Sequence, residues 1–124
     1  MFHYLSEGSD HNPEEYYGLI IKNAWLDNDI NRFYIEFDSG KTIAIWDNGQ
    51  SCCESRYITT DDDPKDLIDY RLVKIEAKEG PDLGDHEQVF VEIATDKSFI
   101  TLVNHNEHNG YYGGFTLTIT EEME

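Results

Sequence analysis

The stretch Arg32-Phe33-Tyr34-Ile35-Glu36-Phe37-Asp38-Ser39-Gly40-Lys41-Thr42-Ile43-Ala44-Ile45-Trp46 decides the fold. Phe33, Ile35 and Phe37 alternate with Arg32, Tyr34, Glu36 and Asp38, a two-residue period that puts three large apolar groups on one face of a strand. Asp38-Ser39-Gly40-Lys41 is a turn signal, and Thr42 to Trp46 is a second β-rich run, so the pair predicts a hairpin.

Working outward, Gly18 to Leu26 is β-branched and aromatic and predicts a strand ending at Asp27-Asn28-Asp29. Asp47-Asn48-Gly49 predicts another turn, and Gln50 to Thr60 reads as partly extended. Asp61-Asp62-Asp63-Pro64 carries a helix-start pattern and predicts a short helix over about Pro64 to Asp69. Arg71 to Ala77 alternates again, and the breakers from Glu79 to Asp85 predict a loop. Val89, Val91 and Ile93 share one face of a strand from His86 to Thr95, and Asp96-Lys97 turns the chain into Ser98 to Val103. Phe115, Leu117 and Ile119 alternate with threonines in a closing strand. The expected organisation is a loose arm over residues 1–16, one β-rich domain over 17–120 and an acidic tail over 121–124. The expected fold class is mainly β: a single antiparallel sheet, strongly curled or barrel-like, with one short helix.

The 124 residues suffice for one domain with a real core. Nine Lys+Arg against 26 Asp+Glu give a formal net charge of -17. That field repels nucleic acid and anionic membranes, which argues against direct binding of either, and it attracts basic partners and cations. No apolar run is long enough to span a bilayer, and Met1 to Asn12 lacks the order of a signal peptide, so a cytoplasmic location is expected. Cys52 and Cys53 are adjacent; on a strand they would point to opposite faces, a poor geometry for a disulfide that agrees with a reducing compartment.

The densest chemistry lies in Asn104-His105-Asn106-Glu107-His108-Asn109-Gly110-Tyr111-Tyr112-Gly113-Gly114-Phe115, read as a loop between a strand ending near Val103 and one starting near Phe115. His105 and His108, with Glu107 between them, could face one cation. His86 and Cys52 or Cys53 could complete a zinc site, because imidazole, carboxylate and thiolate are the usual zinc ligands. The spacing matches no recognised motif, lacking both C-x-x-C and H-E-x-x-H. The same histidines and asparagines could equally hold the loop through hydrogen bonds to the backbone. Tyr111, Tyr112 and Trp46 offer aromatic faces, Asn104, Asn106 and Asn109 offer carboxamides, and Arg56 offers a scarce cation. Together they could line a pocket for a nucleotide-like molecule or anchor a protein partner. Arg56 could also serve in an ion pair, with Glu54 nearby. No residue stands out as catalytic.

The segments Asp47 to Tyr57 (containing Gly49-Gln50-Ser51-Cys52-Cys53-Glu54), Asp61-Asp62-Asp63, His86-Glu87 and Asn104 to Phe115 resemble a family of small bacteriophage and prophage proteins carried as a domain of unknown function. The likeness runs from about Gly18 to the last strand. It implies a phage origin and a role in the host cytoplasm during infection, and a small acidic protein of that kind looks like a counter-defence factor. Three functions follow as expectations: a non-enzymatic inhibitor whose acidic surface occupies a basic host immune effector such as a CRISPR nuclease, a module that sequesters a nucleotide signal, and a zinc-dependent hydrolase built on His105, His108, Glu107 and His86.

Overall fold

A computed structural model describes residues 12–47, 54–82, 86–108 and 117–122. Among these residues eight strands form two four-stranded antiparallel sheets. They are β1 (Ile21–Asp27), β2 (Arg32–Phe37), β3 (Thr42–Asp47), β4 (Glu54–Thr59), β5 (Leu72–Asp82), β6 (His86–Thr95), β7 (Phe99–His108) and β8 (Leu117–Glu122). One sheet has the order β1-β2-β3-β8 and the other β4-β7-β6-β5.

The mainly β expectation holds, but the single curled sheet gives way to two sheets. β1-β2-β3 and β5-β6-β7 are sequential meanders, whereas β4 and β8 change sides: β4 follows β3 yet pairs with β7, and β8 follows β7 yet pairs with β3. Local alternation fixes which face of a strand is apolar but does not choose its neighbour. Backbone pairing links the sheets at one corner, where Ile20 bridges to Arg71 and the Leu72 amide donates to the Leu19 carbonyl at 2.9 Å.

The predicted hairpin is present as β2 and β3, with Phe33 opposite Ile45 and Ile35 opposite Ile43, all fully buried. Gly40 takes φ +94 at its turn, a conformation that costs glycine nothing. The inner faces of both sheets feed one apolar cluster, in which Phe33, Ile35, Phe37, Ile45 and Ile119 join Ile58, Ile75, Val89, Val91, Ile93, Ile100 and Leu102. The predicted short helix is a single 3-10 turn, Pro64–Leu67, capped by the Asp63 carboxylate accepting from the Lys65 amide at 2.9 Å. The backbone becomes extended again at Ile68, which ends it. A second 3-10 turn, Pro13–Tyr16, closes the expected arm with a capping box between Asn12 and Glu15. It delivers Tyr16 to the core, where the ring stacks on Phe37 and the hydroxyl donates to Glu121 at 2.8 Å. Burial first, and the Glu121 carboxylate second, push the Tyr16 hydroxyl pKa upward.

Two expected boundaries move. β5 continues through Gly80 to Asp82, and β7 continues from Val103 to His108, so the first part of the presumed loop is strand. β4 forms one edge of its sheet, and the β1–β2 turn covers it. The Ile58 amide donates to Asn31 Oδ1 at 3.3 Å, and Asn28 Nδ2 donates to the Ile58 carbonyl at 3.4 Å. Asn31 sits at φ +52, where asparagine is better tolerated than most residues. An edge covered this way no longer offers those groups to another strand. Among the described residues no helix is long and apolar enough to cross a membrane.

Candidate functional site

The inner face of β7 begins apolar with Ile100 and Leu102 and then turns polar with Asn104 and Asn106, which are 1% and 0% exposed. The same change occurs on β4, from Ile58 to Arg56, and on β3, from Ile45 to Asp47. These positions fall together because Ile58 pairs with Asn104 and Arg56 with Asn106 across the β4–β7 ladder. Asp47 reaches them from the other sheet. Its Oδ1 accepts from Arg56 Nη1 at 2.8 Å and its Oδ2 from Asn104 Nδ2 at 3.0 Å. Both charged side chains are almost fully buried, at 7% and 3% exposure. Two ions removed from water in this way are tolerated only because each meets the other at hydrogen-bond distance. The Asp47 carboxylate also fixes the Asn104 amide, since only the Nδ2 end can donate to it. Asn104 Oδ1 then points the other way, buried and with no hydrogen-bond partner among the described residues. A buried acceptor in that state calls for a donor from outside the fold.

This polar end opens into a cleft of about 460 Å³ lined by Asp29, Ile30, Asn31, Arg32, Trp46, Asp47, Arg56, Tyr57 and Asn104. Trp46 is held by its indole N–H, which donates to Thr120 Oγ1 at 3.2 Å, and the Arg32 guanidinium lies 3.9 Å from its ring centroid. Arg32 also pairs with Glu122 at 3.3 Å. Ile30 stands at the rim, 53% exposed.

The outer face of the same sheet carries a second cluster. Tyr57 stacks on His105 with ring centroids 4.5 Å apart, and its hydroxyl donates to Glu107. That bond, more than burial, pushes the Tyr57 pKa up to about 12. His105 Nδ1 lies 3.0 Å from His86 Nε2, and its Nε2 lies 2.8 Å from Thr59 Oγ1. Gln88 Nε2 approaches the same Nδ1 at 3.4 Å.

Of the residues singled out in the sequence, Arg56, Trp46 and Asn104 therefore meet in the cleft, and Asn106 is buried beside it. His86 and His105 meet on the opposite face. Their facing nitrogens point at each other, so the pair shares one hydrogen bond. Among the described residues no group of three or more His, Cys, Asp or Glu could hold a metal ion. His108 is described only by its place on β7 opposite Glu54. Cys52, Cys53, Asn109, Tyr111 and Tyr112 lie outside the described residues. Asp47, Tyr57 and Arg32 are site residues that sequence reasoning missed. Asp47 read as a turn former and Arg32 as an outward strand residue. The signal for Asp47 was the scarcity of cations, which made a carboxylate partner for Arg56 predictable in kind though not in position.

Residues 19–117 match a family described as a domain of unknown function (DUF7448). The chain belongs to this family. No curated protein and no solved structure matches it. The match spans every strand from β1 to β7, including the cleft residues Arg32, Asp47, Arg56 and Asn104, so the family domain contains the polar end as well as the apolar core.

The histidine cluster yields a pH prediction. Burial, and then the neighbouring His86, hold the His105 pKa below the usual imidazole range, while Glu107 pulls it the other way. The folded chain therefore favours neutral His105, whereas the unfolded chain takes up its proton near pH ~6.5. Stability from this group is complete above that value and declines as the pH falls through it. Urea midpoints measured from about pH 7.5 to about pH 5.5 should fall in the parent and stay flatter in His105→Phe, which keeps a ring against Tyr57. Equal slopes in the two proteins would count against the assignment.

Proposed function

We propose that this protein is a binding module that captures a small, planar, polar molecule of the nucleotide-like class in the cleft between the β1–β2 turn, β3 and β4. The cleft itself carries this reading. Its volume is in the range of small-molecule sites, and its lining includes Trp46 and Tyr57 together with the polar groups of Asp47, Arg56 and Asn104. The unsatisfied Asn104 Oδ1 supports it, because a ligand N–H can satisfy that oxygen directly or through one bridging water.

The test is thermal shift followed by calorimetry against nucleosides, nucleotides and cyclic nucleotides. A ligand at a hundred times its Kd stabilises the fold by about 2.7 kcal/mol, a shift of several degrees. Tyr57→Ala, at a half-buried position on the edge strand β4, removes a ring from the lining and should weaken binding by about tenfold or more. No shift with any compound, or full binding by Tyr57→Ala, would remove the proposal.

Charge favours a second reading, the counter-defence inhibitor suggested by the resemblance to phage proteins. Arg32, Lys41, Arg56, Lys74 and Lys78 each already face a carboxylate, and the excess of 26 Asp+Glu over nine Lys+Arg leaves a net charge of -17. Such a surface would compete with nucleic acid for the basic face of a host effector. Binding of that kind weakens steeply with salt, and a complex undiminished near molar salt would rule it out.

A further inference from the structure

We infer that the cleft selects an uncharged heterocycle presenting an N–H edge and discriminates against its phosphorylated forms. This rests on the nucleotide-like reading of the cleft and narrows it.

A phosphate would need a cation without a counter-charge, and both guanidinium groups of the wall already face a carboxylate. Arg56 is bound to Asp47 at 2.8 Å, and both side chains are more than nine-tenths buried. A phosphate drawn to Arg56 would share it with the Asp47 carboxylate that already neutralises it, so the pair offers no net positive charge to hold an anion. Arg32 lies over Trp46 and pairs with Glu122. In the turn, the Asp29 amide donates to Asp27 Oδ1 at 3.0 Å. Asp29 adds a further carboxylate to the wall, and the chain as a whole carries -17.

The wall suits a neutral ring far better. Trp46, Tyr57 and the exposed Ile30 supply apolar contact, and Asn104 Oδ1 is an acceptor without a donor. Asp47 holds the Asn104 amide so that the oxygen, and not the nitrogen, is the atom left without a partner among the described residues. An N–H on the ligand edge is the complementary group; a phosphate oxygen is not.

The experiment is calorimetric titration of the full chain with adenosine, guanosine, cytidine and uridine, each beside its monophosphate and triphosphate, at low and near-molar salt. A nucleoside should bind at least about fivefold more tightly than its triphosphate at low salt, from repulsion by the protein's field. The gap should narrow as the screening length contracts to about 3 Å near molar salt. A triphosphate that binds more tightly than its nucleoside, with Tyr57→Ala weakening both, overturns the selectivity and leaves the cleft reading standing. Absence of heat with every compound overturns the cleft reading itself.

Discussion

Asp47→Ala is expected to destabilise the fold by about 3–5 kcal/mol, because it strands a buried cation. Arg56 would stay almost fully enclosed without the carboxylate 2.8 Å away, and Asn104 Nδ2 would lose its acceptor at 3.0 Å. For a domain of this size the melting temperature should fall by roughly 10–20 °C. The companion variant separates the pair's intrinsic worth from the penalty of breaking it. Replacing both partners, Asp47→Leu with Arg56→Met, should recover a large part of the loss, since two apolar groups of similar volume avoid the desolvation that the ions incur. Urea denaturation of the parent, the single and the double variant gives the comparison. A single variant within about 1 kcal/mol of the parent would mean that water, and not the protein, surrounds this pair.

Phe33→Ala is expected to cost about 3–5 kcal/mol, the loss of a large side chain from a packed interior. Phe33 is fully buried, with Leu26 opposite it on β1 and Ile45 opposite it on β3. The next residue supplies the control. Tyr34 points to the other face, where its ring stacks on the half-exposed Trp25 with centroids 5.1 Å apart. Tyr34→Ala should cost about 0.5–1.5 kcal/mol, the value of an aromatic pair. A one-residue slip in register would exchange the two results. Comparable losses at Phe33 and Tyr34 would sink the assignment of a single buried face to β2.

Much of the strand structure was legible because apolar residues repeat with a period of two. Phe33, Ile35 and Phe37 identified β2 and its inner face, and Val89, Val91 and Ile93 did the same for β6. The turn residues at 38–41 and 96–97 placed two hairpins. The pattern misled where a strand turned polar on its inner face. Asn104 and Asn106 continue the alternation of Ile100 and Leu102, yet as carboxamides they read as loop. Polar residues hold inner positions there because Asp47, from a strand distant in sequence, supplies a partner.

The candidate site was legible only in its ingredients. Arg56, Trp46 and Asn104 were marked by scarcity, aromaticity and hydrogen-bonding capacity. Their convergence with Asp47, Tyr57 and Arg32 depends on β4 leaving the sheet of β3 to pair with β7. The pairing of His86 with His105 depends likewise on the β6–β7 register, which sets Gln88 opposite His105 and places His86 within reach of the same ring.

Sequence alone determined that this chain is acidic, mainly β and built on strands such as β2 and β6 with one apolar face, because those properties follow from composition and from the chemistry of near neighbours. Tertiary structure alone decided that there are two sheets, that β4 and β8 cross between them, and that a buried ion pair closes the polar end. Those outcomes are choices among distant partners, made by the summed burial of whole faces and by the need of each buried charge for its opposite, and no local run of residues encodes them.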